Sequence, residues 1–157
     1  MFEEALSQAY RYLNRRERTV AEVRAYLKRK HPAPELIDAV LNELIKKGYL
    51  DDVRYAKCFT EDRRNLDGWG SERIRRRLLE LGIERNLAQQ ASEPEDQGQE
   101  IRAALEVLHR RVRFPPSDPS GRKRALGILV RRGYAPELAY NAIRRFEAQA
   151  REETTLG

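Results

Sequence analysis

The sequence predicts an all-α fold built from three tandem, helix-turn-helix-like three-helix repeats, on three observations. Apolar residues recur at helical spacing along nearly the whole chain, and strand-like alternation is missing. The apolar register itself repeats every 51 residues: Val23, Ile74 and Ala125 align, as do Leu27, Leu78 and Leu129, Leu36, Leu87 and Leu138, and Val40, Ala91 and Ala142. Turn chemistry repeats with it, since "APEL" at 33–36 returns at 135–138. A three-helix unit this small buries little core alone, so each should lean on its neighbour in an elongated array that is free to curve.

In the first repeat, residues 1–50, helices are expected near 2–16, 19–30 and 34–47. Thr19 with Glu22 makes a capping box, Pro34 suits a first helical turn, and Gly48 after Lys46 and Lys47 suits a helix end. In the second, 51–93, helices are expected near 52–64, 71–81 and 84–92. In the third, 94–150, they are expected near 98–112, 120–132 and 136–150, with Pro136 and Gly133 in the roles of Pro34 and Gly48. Residues 151–157 are expected to form a flexible tail. The first helix of each trio leaves the common register because its following connection differs: "RRERT", "RRNLDGWGS" and "RRVRFPPSDPSG". Each of those connections opens on an arginine pair.

Charged residues make up 36% of the 157, with 31 Lys and Arg against 25 Asp and Glu, a formal charge of +6 and a pI near 9.7. The balance favours an acidic partner, nucleic acid or an acidic protein surface. Both signs are interleaved throughout, as on solvated helix faces. The single cysteine, Cys58, excludes an internal disulfide framework. His31 and His109 have no companions at ligand spacing, so no metal and no cofactor is expected. No apolar run is long enough to cross a bilayer and the N-terminus lacks a signal-peptide pattern, which together lead us to expect a cytoplasmic protein.

"KKGYLDD" at 46–52 sets two adjacent carboxylates behind a glycine. Neighbouring residues point in different directions, so Asp51 and Asp52 are poor candidates for a shared ion or a catalytic pair. A carboxylate there instead accepts the free N–H groups of the helix that follows. With Gly48 in a left-handed turn, the stretch reads as a structural joint between the first two repeats. "DGWG" is a second joint, in which Gly68 and Gly70 flank Trp69; the indole either closes over the adjacent core or offers a face to a partner. Cys58, beside Phe59, is expected to be buried filler, and the histidines to be surface or capping residues.

Basic clusters are the strongest functional signal. "SERIRRRLLELG" puts Arg73, Arg76 and Arg77 on the side away from Ile74, Leu78 and Leu81. "GRKRALGILVRRG" puts Arg122, Lys123 and Arg124 at a helix start, where they oppose the helix dipole with no evident folding benefit. With the arginine pairs Arg63 and Arg64, and Arg110 and Arg111, and with Trp69, these are the expected contacts to a phosphate or acidic protein surface. No phosphate-binding glycine loop, nucleophile elbow or HExxH is present, so no catalytic residue is named and no enzyme is expected.

"GYLDDVRYA", the arginine at 63 or 64, "GWGSERIRRRLLELGI" and the three-fold repeat resemble the RecX family of bacterial recombination regulators. "RERTVAEVRAYL" and "RRGYAPELAYNAI" look like that family's first and third repeats, and the likeness runs from about Ala5 to Phe146. It does not include "SEPEDQGQE", "FPPSDPSG" or "REETTLG". The resemblance implies a non-enzymatic regulator, here read as a monomer. Its partner would be the RecA filament on single-stranded DNA, in whose groove it would lie, restraining growth, ATP hydrolysis and strand exchange. The alternative is a direct DNA-binding helix-turn-helix protein acting without RecA, although "PELIDAVLNELIKK" and "RNLAQQASE" offer few groups to read base edges. Weak non-specific DNA binding suits both readings.

Overall fold

A computed structural model describes residues 1–113, 115–116 and 118–156. Phe114 and Ser117, in the proline-rich connection, and Gly157, the end of the expected tail, lie outside the described residues. Among those described there are nine α-helices and no strand: α1 (Phe2–Arg15), α2 (Val20–Lys30), α3 (Pro34–Lys46), α4 (Asp52–Asp62), α5 (Ser71–Glu80), α6 (Arg85–Ser92), α7 (Gln97–Arg111), α8 (Pro119–Arg131) and α9 (Pro136–Leu156). The all-α class and its trios therefore stand as expected.

Two helix ends differ from expectation. After α4 the chain continues as one π-helical turn, Arg63–Asp67, braced by an ion pair of Arg63 with Asp67 at 2.5 Å and closed by Gly68 at φ +66°. Helix α9 runs on through "REETTL", where the Thr154 and Thr155 hydroxyls donate to carbonyls four residues back.

By internal contacts the chain falls into two compact units, Met1–Phe59 with Arg77–Ala91, and Thr60–Arg76 with Ser92–Gly157. In the first, α1, α2 and α3 pack around Ala9, Val23, Leu27, Val40 and Leu44, all fully buried. In the second, α7, α8 and α9 pack around Ala104, Leu108, Leu129, Ala139 and Ile143. Three of the four sets related by 51 residues are buried alike: Val23, Ile74 and Ala125 are all inside, as are Leu27, Leu78 and Leu129, and Leu36, Leu87 and Leu138 are all half-buried; in the fourth, Val40 and Ala142 are inside and Ala91 is half-buried.

Inside each unit a junction between helix ends is built in the same way. In the first unit the Thr19 hydroxyl, at the N-cap of α2, donates to the Leu81 carbonyl at 2.6 Å. The Val20 N–H donates to the Asp52 carboxylate at 3.0 Å, and Gly82, at φ +86°, brings the end of α5 against Ala21. In the second unit the Gly70 N–H donates to the Arg132 carbonyl at 2.7 Å and the Glu72 N–H to the Gly133 carbonyl at 3.1 Å. There the Ser71 N–H donates to the Glu100 carboxylate at 2.9 Å, while Gly133, at φ +99°, meets Arg73. Residues 19 and 70, 81 and 132, and 82 and 133 are each 51 apart, so the repeat is one of joints as well as of core positions. Donors at a helix start, a hydroxyl in the first unit and N–H groups in the second, take up free carbonyls at another helix's end, and a carboxylate from the next trio's first helix caps a remaining N–H.

The capping expectation for "KKGYLDD" is thereby refined. Asp51 caps its own helix, accepting from the Arg54 N–H at 3.0 Å, whereas Asp52 caps α2. Burial raises the Asp52 carboxyl above its ordinary value; the Val20 N–H works against that, and the Asp51 and Glu22 charges add to it. Gly48 takes the expected left-handed turn at φ +81°. Cys58 is exposed rather than buried, because the buried positions of α4 are Ala56 and Thr60. His31 does cap the end of α2, but it is buried, with a ring nitrogen 2.6 Å from the Gln8 side-chain oxygen.

Candidate anion-binding cavity

The C-terminal junction carries a strongly basic concavity. The loop 67–70 is anchored by the bonds of Gly70 and Glu72, by the Tyr134 hydroxyl donating to the Gly68 carbonyl at 3.0 Å, and by Arg132 donating to the Asp67 carbonyl. Burial first, and then the Glu100 charge, push the Tyr134 phenol well above its ordinary value, so it remains a donor at any physiological pH. Glu100, itself buried, accepts from both the Ser71 N–H and the Ser71 hydroxyl. Arg64 spans the same region, donating to the Ser71 hydroxyl at 3.1 Å and to the Ser92 carbonyl at 2.5 Å.

Held in this way, the loop forms one wall of a cavity of about 650 Å³ whose other walls are the ends of α7 and α8 and the start of α5. Arg73, Arg110, Arg111, Arg131 and Arg132 line it with Trp69 over Leu66, Val107 and Ile128. Arg73 lies over the indole at 4.1 Å from the ring centre, and Arg63 stands 6.0 Å from the same ring. Among the described residues the only carboxylate in the lining, Asp67, is the one paired with Arg63. Arg110 meets Glu106 at 2.9 Å in the open, while Arg111 and Arg131 have no carboxylate partner among the described residues. Burial, followed by the charges of Arg111 and Arg73, lowers the pKa of the Arg132 guanidinium, which nonetheless stays protonated.

Of the residues expected to meet a partner, the structure brings Trp69, Arg73, Arg110 and Arg111 together, with Arg63 beside them and Gly68 in the wall. Gly70 lies at the junction itself. Arg64 is engaged in holding the loop. Arg76 is exposed, and Arg77 belongs to the first unit, where it pairs with Glu80 at 3.0 Å. The cluster at the start of α8 stays outside the cavity. Lys123 and Arg124 are exposed, and Arg122 does have a folding role, bonding Glu147 at 2.9 Å while Asp118 caps the helix. Sequence reasoning does not single out Arg131 and Arg132, because "RRG" reads as an ordinary basic helix end.

No helix of the described chain is long and apolar enough to cross a membrane. The family description of the RecX first three-helix domain matches residues 5–44, and that of the RecX second three-helix domain matches residues 51–91. The chain is 31% identical over 142 residues to the regulatory protein RecX of Deinococcus radiodurans, an overlap of 90% of this chain and 68% of that relative. It is 28% identical over 146 residues to the regulatory protein RecX of Thermobifida fusca, covering 92% of this chain and 79% of the other. Among solved structures, RecX from Lactobacillus salivarius matches with a TM-score of 0.81 over 94% of this chain and 97% of its own, at 19% identity, a likeness of fold alone. The helical trios, their register and these matches agree: the chain belongs to the RecX family of regulatory proteins.

Proposed function

We propose that this chain is a non-enzymatic cytoplasmic regulator that binds the RecA filament on single-stranded DNA and restrains its growth, ATP hydrolysis and strand exchange. The observation that carries the reading is the convergence of five arginines on one cavity beside Trp69, with its single carboxylate already paired. Such a site suits an acidic surface or a phosphate backbone, where planar guanidinium forks make two-point contacts. Arg76, Lys123 and Arg124 offer further exposed charge, so contacts individually weak can act together along a tandem helical chain. Arg64, Gly48, Asp51, Asp52, Gly68 and Gly70 support the reading indirectly, by holding the joints. A ligand that prefers one state of a polymer shifts assembly toward that state, and binding of this kind should weaken with salt.

The test is ATP hydrolysis by RecA on single-stranded DNA, with the protein added below one copy per RecA. Inhibition is expected, and its loss is expected when Arg111 and Arg131 are both changed to Glu. An uninhibited reaction overturns the filament reading and leaves direct DNA binding as the alternative; an unimpaired double variant moves the contact away from the cavity.

A further inference from the structure

The cavity gathers five arginines in one concavity. Its volume of about 650 Å³ falls within the range of roughly 300–1,000 Å³ typical of small-molecule sites. Its five guanidinia fall into two kinds. Arg73 and Arg132 are held in place, the first against the indole and the Arg131 carbonyl at 3.4 Å, the second on the Asp67 carbonyl. Arg110, Arg111 and Arg131 reach in from helix ends that carry their charge into solvent. Positive groups gathered so closely repel one another, and the two carboxylates at hand, Asp67 on Arg63 and Glu106 on Arg110, leave Arg73, Arg111, Arg131 and Arg132 without an anionic partner among the described residues. A ligand that relieves this crowding must bring several negative charges on a short body. Apolar surface from Val107 and Ile128 lowers the local dielectric and strengthens each such contact.

We infer that this cavity is a binding site for a compact polyphosphate, such as inorganic tripolyphosphate or the phosphate chain of a nucleoside triphosphate. A phosphate chain supplies the required charge density, and each phosphate can accept from two N–H groups of one guanidinium. Arg73 already covers one face of Trp69, so stacking of a base adds little and the phosphates carry recognition. The site shares its cavity with the filament reading but does not depend on it.

Trp69 is the chain's only tryptophan and therefore reports directly on occupancy. The experiment titrates the full chain with tripolyphosphate, ATP, adenosine and a thymidine oligonucleotide at constant ionic strength, following tryptophan emission. Tripolyphosphate and ATP should give saturable changes at similar concentrations and adenosine none. Binding of tripolyphosphate should weaken at least tenfold in Arg111→Gln/Arg131→Gln, whose exposed side chains can be replaced without unfolding, and remain unchanged in Arg77→Gln. No saturable response to tripolyphosphate, a response that survives the double variant, or a response to the oligonucleotide alone would each overturn the inference. Tripolyphosphate binding by a chain that leaves RecA uninhibited sustains this inference and removes the filament reading; inhibition of RecA without tripolyphosphate binding does the reverse.

Discussion

Replacing Gly70 by alanine isolates what the close approach at the second junction contributes. A Cβ at this position would lie 2.5 Å from the Gly133 carbonyl oxygen, 2.6 Å from its carbon and 2.7 Å from the Tyr134 nitrogen. All three are backbone atoms in a turn fixed by its own hydrogen bonds, so the two loops must part. Parting them breaks the bonds from Gly70 to Arg132, from Glu72 to Gly133 and from Tyr134 to Gly68. At about 1 kcal/mol for each bond, the cost is about 2–4 kcal/mol. For a chain of this size that corresponds to a fall in Tm of roughly 6–12 °C. Thermal unfolding followed by Trp69 emission and by far-ultraviolet circular dichroism measures it. Gly48→Ala is the internal comparison: it has φ +81° but nothing within 4 Å of the new methyl, so it carries only a backbone cost of about 1–2 kcal/mol. If Gly70→Ala proves no more harmful than Gly48→Ala, the close contact of the two loops is not what holds the junction.

Two further outcomes test the first unit. Thr19→Val removes both the hydroxyl donated to Leu81 and the acceptor of the capping box, and should cost about 1–2 kcal/mol in urea unfolding; a change under about 0.3 kcal/mol would mean that the junction closes without it. Asp52→Ala should cost on the order of 1 kcal/mol by leaving the Val20 N–H without its acceptor. Asp52→Asn keeps an acceptor and loses the charge. Because the folded carboxyl is raised, the folded state holds its proton more tightly than the unfolded state as pH rises from the ordinary value of 3.8, so this group makes stability fall with rising pH. The Asn variant should lose that decline and match or exceed the parent at pH 7. An Asn variant as unstable as the Ala variant would show that the carboxylate charge itself is required.

Most of the helices were legible because their signals are local. The 51-residue register of Leu27, Leu78 and Leu129 needs only helical periodicity, and the Thr19 capping box only a spacing of three. What escaped notice depends on residues far apart in the chain. The carboxylates of Asp52 and Glu100 cap helices that began about 30 residues earlier, in a register that the unequal connections disguise. The cavity draws its arginines from three separate helices, so no short window contains it. Cys58 faces outward because small residues, Ala56 and Thr60, fill the inner side of α4, which an apolar neighbour such as Phe59 does not reveal in the sequence. The π turn is closed by Gly68 and by the Gly68 and Trp69 N–H groups on the Arg63 carbonyl, contacts that helical periodicity does not register.

The junction at the end of α8 has a consequence for the charges beside it. A helix terminus carries roughly half a negative charge on its unbonded carbonyls, and basic side chains in the last turn commonly neutralise it. Here the Arg131 carbonyl accepts from the Arg73 guanidinium at 3.4 Å, and the Arg132 and Gly133 carbonyls just past the helix accept N–H groups from the start of α5. Donors from α5 therefore face the negative end of α8, a place that basic side chains of a last turn usually fill. Arg73, which supplies one of those donors, also lines the cavity, so a contact made to join two helices also shapes the electrostatic potential that an anion meets on arrival.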